Sequence, residues 1–286
     1  MQENTKAILA LLITIILWAS AFVGIRFAVT SYSAGGLALL RYIVAAIVIF
    51  IPFMRLKNKQ KPNIKDLLYF LLLGLMGFTL YNIFLNYGEK TTSASVANFI
   101  IAQIPILVSL IAIFAFKEYI SRKGIIGFIL SFLGIVLILL GENEHHLDIG
   151  IILVVLAAIC GSIYSVLQKP LLKRYHPIEI TSYAIWTGTL CLLIYTPELI
   201  TDLKYSHFNA TASVIYMGIF PGAIAYSLYC YGYKYMPVAK ASSFLYLMPF
   251  FTLILAWLFL GELPSLLAII GGLIALLGSI VVTRSR

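Results

Sequence analysis

Long apolar runs alternate with short polar gaps along the whole chain, and no gap is large enough to form a soluble domain. A run of about 20 apolar residues crosses about 30 Å of hydrocarbon when it folds as an α-helix rising about 1.5 Å per residue. By that measure the pattern predicts ten spans, near residues 7–25, 36–54, 67–87, 96–116, 124–140, 149–168, 180–197, 212–233, 241–260 and 265–283. The fifth is the shortest. The first follows the polar lead Met1 to Lys6 and continues past Trp18 without a small-residue cleavage site, so it is expected to persist as a helix rather than be removed as a signal peptide.

Composition agrees with the pattern. Of 286 residues 62% are hydrophobic and 11% charged, with a mean hydropathy of +1.00. Soluble chains carry roughly 25% charged residues, so this one has too little polar surface to cover an aqueous exterior. The net charge of +9 would suit a nucleic-acid binder if it were clustered, but it is divided among the gaps between spans, as membrane topology signals are. With the N-terminus cytoplasmic, the inner gaps and termini hold 16 of the 20 Lys and Arg residues, and the outer side holds only Arg26, Lys90 and Lys204. Arg41 falls inside the second span. The expectation is an all-α, multi-pass protein of the bacterial plasma (inner) membrane with both termini cytoplasmic.

Sliding the chain against itself by 144 residues aligns Gly74 with Gly218, Tyr87 with Tyr231, Gly88 with Gly232, Lys90 with Lys234, Pro105 with Pro249, Glu118 with Glu262, Gly127 with Gly271 and Gly134 with Gly278. A two-residue offset at the start of each half places Ser20 on Ser162. The chain therefore reads as a tandem duplication, with residues 1–141 and 142–286 as its two five-helix units. Five is odd, so the second unit enters the membrane in the opposite orientation. Inverted repeats of this kind recur in secondary transporters, where two related halves form gates around a central site.

The paired patterns Ala97 to Glu118 and Ala241 to Glu262, together with the segment Leu17-Trp18-Ala19-Ser20-Ala21-Phe22-Val23, resemble the EamA family of the drug/metabolite transporter superfamily. The resemblance spans essentially the whole chain as two EamA-type repeats. It implies a ten-helix carrier with a central cavity between the halves, with export as the default direction and the solute left open among amino acids, nucleotide-related metabolites and drugs. The leading expectation is a secondary transporter that exports small metabolites such as amino acids or derivatives by alternating access around that cavity; uptake or exchange of a charged nucleotide-type metabolite such as S-adenosylmethionine is the alternative. A membrane receptor or assembly subunit without flux is a further one.

Polar and aromatic residues inside spans are the cavity candidates, because polar groups in hydrocarbon turn towards protein or water. They are Trp18, Ser20, Phe22, Arg41, Tyr81, Asn82, Asn98, Gln103, Tyr164, Trp186, Tyr226, Tyr229, Ser242, Ser243 and Tyr246. For Arg41 two readings compete: snorkelling to the outer interface, about two turns away, and charge-assisted bonding to an anionic solute. Pro105 and Pro249 should kink or unwind their helices and serve as hinges. Glu118 and Glu262 are expected to cap the helices that follow them. Gly127, Gly134, Gly271 and Gly278 form small-residue stripes that let the fifth and tenth helices pack together or support a homodimer. Tyr87, Tyr231 and Tyr233 read equally well as interface anchors.

The remaining chemistry is sparse. Cys160, Cys191 and Cys230 lie in apolar spans and read as small buried residues rather than a disulfide framework. His145 and His146 fall in an acidic gap that reads as a solvated loop. No phosphate-binding loop or cofactor motif is present, and neither a metal site nor a catalytic centre is indicated. The expected partners are a small-molecule solute and the bilayer, not nucleic acid. No span carries a central Asp or Glu, which leaves proton coupling and simple exchange both open, as it does monomer and homodimer.

Overall fold

The computed structural model describes residues 2–116, 121–141, 149–236 and 241–284. Every described element is helical. The elements are α1 (Gln2–Ala28), α2 (Ala34–Arg55), α3 (Ile64–Gly74), α4 (Tyr81–Gly88), α5 (Ala94–Ile101), α6 (Ile104–Phe116), α7 (Arg122–Gly141) and α8 (Ile149–Leu171). They continue with α9 (Pro177–Leu192), α10 (Thr196–Tyr205), α11 (Phe208–Met217), α12 (Tyr226–Tyr235), α13 (Met248–Leu260) and α14 (Leu266–Arg284). Helix is found on each of the apolar intervals read from the sequence. Among the described residues seven stretches are long and apolar enough to cross a bilayer, and Phe244–Leu260 and Leu266–Gly278 are shorter apolar helices. The bundle's outside is apolar: Ile47, Phe132 and Phe259 are 65%, 68% and 72% exposed. In water such a surface would drive aggregation, whereas in lipid it is solvated.

Several long helices contain a change of winding. A π segment, Leu75–Leu80, joins α3 to α4, and a second, Gly218–Ala225, joins α11 to α12. The two lie at equivalent positions under the 144-residue register. Ala102 and Gln103 form a turn between α5 and α6, while a 3-10 segment, Ser243–Leu247, precedes α13. Pro105 and Pro249 each stand second in the helix that follows the irregularity. Proline is tolerated there because the first-turn N–H groups have no helical acceptor. The backbone irregularity thus precedes each proline instead of being centred on it.

The two halves interlock through these segments. A Cβ on Gly74 would meet Thr187 and the backbone of Gly188 and Ala184 in α9, and a Cβ on Gly218 would meet Arg41 and Val44 in α2. The same register carries Val44 onto Gly188, so each π segment lies against the second helix of the opposite half in a reciprocal contact. α7 packs along α14, where Gly134 meets the backbone of Ala275 and Gly278 meets Ser131 and Gly127. The Ser131 hydroxyl donates to the Ala275 carbonyl at 3.0 Å, which joins the small-residue stripes within one chain.

Capping side chains fix the ends of the bundle. At one end Asn63 and Asp66 form a reciprocal capping box on α3, and Asp66 also accepts from the Tyr175 hydroxyl at 2.6 Å and from Arg174. Glu179 closes a second box on α9 with His176 and accepts the Gln60 N–H at 2.7 Å. At the opposite end Ser33 caps α2 and donates to Asp202 at 2.7 Å.

Candidate functional site

A cavity opens in the middle of the bundle between helices from both halves. Trp18 and Phe22 of α1, Arg41 of α2, Tyr81 of α4, Tyr164 of α8 and Tyr226 and Tyr229 of α12 line it. These are seven of the residues singled out from sequence. The lining also includes Gly77, Gly161, Ser165, Leu245 and Met248, which that reading missed. Ser165 and Gly161 are one helical turn apart on the face that carries Tyr164, and that spacing was the signal available for them.

The aromatic walls are held by ring contacts. Trp18 lies 4.9 Å from Tyr226 and 4.6 Å from Tyr229 between centroids, and Phe78 lies 4.6 Å from Tyr226 and 5.5 Å from Tyr164. Each such pair contributes about 0.5–1.5 kcal/mol beyond its area burial, so the wall is self-supporting. The π segments add specific anchors. The Trp18 indole donates to the Pro221 carbonyl at 3.1 Å, and the Asn82 amide donates to the Phe78 carbonyl at 3.1 Å. A π turn displaces backbone carbonyls from their α-helical donors, and these side chains take the freed acceptors.

Arg41 is 3% exposed and lines the cavity, which overturns snorkelling as its resting place. One terminal nitrogen donates to the Asn82 Oδ1 at 3.2 Å, while the Nε has no hydrogen-bond partner among the described residues. The Tyr164 hydroxyl is likewise unpartnered there. Asn82 therefore stands behind Arg41 and orients it, rather than lining the cavity. The free volume is about 40 Å³, enough for a few waters at about 10–15 Å³ each. The cavity is contracted, and a larger solute requires its walls to move.

Other candidates lie elsewhere. Ser20 bonds the Leu17 carbonyl and the Tyr216 hydroxyl, both at 2.8 Å, on the flank of α1. Asn98 donates to Thr252 at 2.7 Å and ties α5 to α13. Gln103 donates to the Phe99 carbonyl at 3.1 Å. Trp186 bonds the Ala46 carbonyl and stacks among Phe50, Phe53 and Tyr183 in a peripheral cluster. Ser242 is buried and Tyr246 half-buried, but neither lines the cavity. In the 3-10 segment residues three apart share a face, so Leu245 and Met248 point inward and Tyr246 is turned aside. Tyr233 is buried and its hydroxyl meets that of Tyr229 at 2.5 Å, which removes it from the interface anchors.

Two basic residues bracket the cavity along the bundle axis. Arg26 donates to the carbonyls of Glu89 and Lys90 at 2.8 and 3.1 Å and pairs with Glu262 at 2.8 Å. Lys169, towards the other end, donates to the carbonyls of Tyr233 and Met236 at 3.0 and 3.2 Å. The repeat register carries Glu89 onto Tyr233, so each cation holds one of a pair of equivalent carbonyls, while the second carbonyl of each, Lys90 and Met236, differs. Glu262 does not cap the helix that follows it; Ser265 does, accepting the Ala268 N–H at 3.1 Å. Gly261, with φ of 67° in the left-handed region, ends α13 and turns the chain so that Glu262 reaches Arg26 and the Ala94 N–H. Glu118, its counterpart, lies outside the described residues, as do His145 and His146. All three cysteines are free.

The model of the EamA-like transporter family matches residues 5–140 and again residues 148–284. The chain belongs to the EamA-like transporter family. Among similar proteins, an uncharacterized transporter of Bacillus subtilis, YdfC, is 35% identical over 92% of this chain and 86% of its own length. A probable terminal-alkyne amino-acid exporter of Streptantibioticus cattleyicolor is 32% identical over 99% of this chain and 95% of its own. A solved crystal structure with 19% identity covers 98% of this chain and 97% of that one at a TM-score of 0.72, and it shows a shared fold alone. Family membership and the apolar helices together make this chain a multi-pass integral membrane protein of the transporter class.

Proposed function

We propose that this EamA-type chain is a secondary carrier that exports small amphipathic solutes bearing a carboxylate, such as amino acids or their derivatives. In this reading it crosses the plasma membrane ten times with both termini cytoplasmic, as two inverted five-helix repeats. The equivalent π segments, the reciprocal contacts of Gly74 and Gly218, and the matched grips of Arg26 and Lys169 support that symmetry. The end holding Arg26 and Glu262 then faces outward, and the end holding Asp66, Arg174 and Lys169 faces the cytoplasm.

One observation carries the choice of solute. Arg41 brings a buried guanidinium with an unpartnered Nε to an aromatic cavity, beside the unpartnered hydroxyl of Tyr164. Guanidinium binds a planar carboxylate through two parallel N–H bonds, and Trp and Tyr faces accept the apolar remainder of an amphipathic solute. A relative is named a probable terminal-alkyne amino-acid exporter, and such a solute carries a carboxylate on an apolar remainder, which agrees in chemistry. Alternating access follows from closing the Arg26–Glu262 contact at one end while the other end opens.

Counterflow of labelled amino acids in liposomes containing only this protein tests the reading. A saturable, protein-dependent signal is expected. Arg41→Lys keeps the charge but loses the planar fork, and should raise the KM for a carboxylate solute by about 10–100-fold, on the basis of about 1.5–3 kcal/mol for a charged hydrogen bond. Full transport by a folded Arg41→Lys protein would refute carboxylate recognition at this site.

A further inference from the structure

Glu89 follows the last residue of α4, and the helical pattern gave no reason to place it inside protein. It is 0% exposed, and neither carboxyl oxygen has a hydrogen-bond partner among the described residues. Its main chain is fully engaged: the N–H donates to the Leu85 carbonyl at 2.8 Å, and its own carbonyl accepts from Arg26 at 2.8 Å. Arg26 therefore grips the backbone of Glu89 while giving its side-chain ion pair to Glu262.

The charged and titratable groups around Glu89 come from several elements. Arg26 faces it from α1, Arg41 from α2, Tyr81 from its own helix, and Glu262 from the turn before α14. Lys90, next in sequence, lays its ammonium 5.2 Å from the Tyr87 ring centroid. α8 approaches here through Gly150 and Val154, which bring no charge. Arg26 thus stands near two carboxyl groups and Glu262 holds it, while Arg41 gives a terminal nitrogen to Asn82. A buried carboxylate without donors is strongly disfavoured as the anion, whereas the protonated acid is neutral and tolerates the site. Burial pushes Glu89 well above the usual carboxylate range, with Arg26 opposing that shift and Glu262 adding to it.

We propose that Glu89 is a proton-binding site of the carrier, holding a proton while the Arg26–Glu262 latch is shut and releasing it to the outer water when the latch opens. The proposal rests on the carrier reading above and on its assignment of this end to the outer face. On opening, the Glu89 O–H bond breaks, the proton passes to water, and the carboxylate left behind is free to pair with Arg26 as Glu262 releases it. On closing, Glu89 takes a proton back from the same side and Arg26 returns to Glu262. Leu85, one turn earlier on α4, lines the cavity, so the proton site adjoins the solute chamber. The sign follows directly: the closed state binds the proton more tightly, so acid outside favours closure and alkali favours opening.

Two readouts test this on the full chain. Infrared titration of the purified protein should show a protonated carboxylic C=O band at neutral pH that disappears in Glu89→Gln and persists in Glu89→Asp. Separately, Leu85→Cys in a background lacking Cys160, Cys191 and Cys230 should react with a membrane-impermeant thiol reagent from outside, faster as pH rises. Adding Glu89→Gln should hold that reaction slow at every pH, because the amide imitates the protonated acid. A neutral-pH spectrum without the band, a band that survives Glu89→Gln, or labelling that stays pH-dependent in Glu89→Gln would each overturn the assignment. Neither readout needs a transported solute, so failure here is distinguishable from failure of the counterflow assay.

Discussion

At the scale of single residues, the cavity separates two kinds of buried polar group. Asn98, Gln103 and Asn82 have at least one partner that ties helices or backbone together, so their polarity is structural. Tyr164 is different, because its hydroxyl is buried at the cavity with no described partner. Leaving a buried donor unsatisfied costs about 1–3 kcal/mol, an expense retained most readily where a solute supplies the missing bond. Tyr164→Phe is therefore expected to move two quantities in opposite directions. Thermal stability in detergent should stay level or rise, while solute affinity should fall by about 2–10-fold, the equivalent of a net hydrogen bond of about 0.5–1.5 kcal/mol. A stability loss with unchanged affinity would place the hydroxyl among the structural group. The residue pattern identified polar positions within spans but not the direction each faces. For Ser20 and Trp186 that direction is set by Tyr216 and by the Phe50–Phe53 cluster, partners distant in sequence. Glu89 was illegible for a related reason: it sits just past a helix end, where exposure is the ordinary expectation, and only tertiary packing buries it.

At the scale of elements, the apolar runs specified where helices lie but not how they are wound. Periodicity reports burial, and a π turn changes local hydrogen bonding by one residue without altering composition. The π segments become legible only with the side chains that take their carbonyls, Trp18 on Pro221 from a distant helix and Asn82 on Gly77 and Phe78 from one turn further along the same helix. The aligned glycines gave the one sequence signal for these sites. Gly74 and Gly218 admit the opposite half so closely that an added Cβ overlaps backbone at both. Backbone cannot rotate aside as a flexible side chain can, so Gly74→Ala and Gly218→Ala should each destabilise the fold by about 1–3 kcal/mol. Gly261→Asn supplies the control: the position has no atom within 4 Å of a built Cβ, and asparagine tolerates its left-handed φ of 67°. Thermal unfolding of the three variants side by side should rank Gly261→Asn well above the others. Equal melting of all three would mean that the halves separate at these contacts without cost.

For the whole molecule, topology and symmetry make a linked claim. An odd number of spans per repeat forces equivalent residues onto opposite faces, whereas an even number would place them on the same face. The pair Lys90 and Lys234 separates these cases, because the 144-residue register aligns them and both are lysines in polar gaps. Single cysteines at these positions, in a background where Cys160, Cys191 and Cys230 are replaced by alanine, can be labelled in intact cells with an impermeant thiol reagent. Lys90→Cys should react from outside, and Lys234→Cys only after the membrane is permeabilised. Lys59→Cys and Lys204→Cys extend the comparison to the loops after the second span and within the second half, with inner and outer accessibility expected respectively. The positive-inside bias makes the same assignment from charge alone, since basic residues are retained on the cytoplasmic side during insertion. The latch adds a consequence that charge counting lacks. If Lys90 is outside, then Arg26, Glu89 and Glu262 form the outer closure, and Lys169 with the carbonyls of Tyr233 and Met236 belongs to the inner one. Labelling Lys90→Cys and Lys234→Cys from the same face would remove the inverted repeat and, with it, the assignment of opposite roles to the two ends.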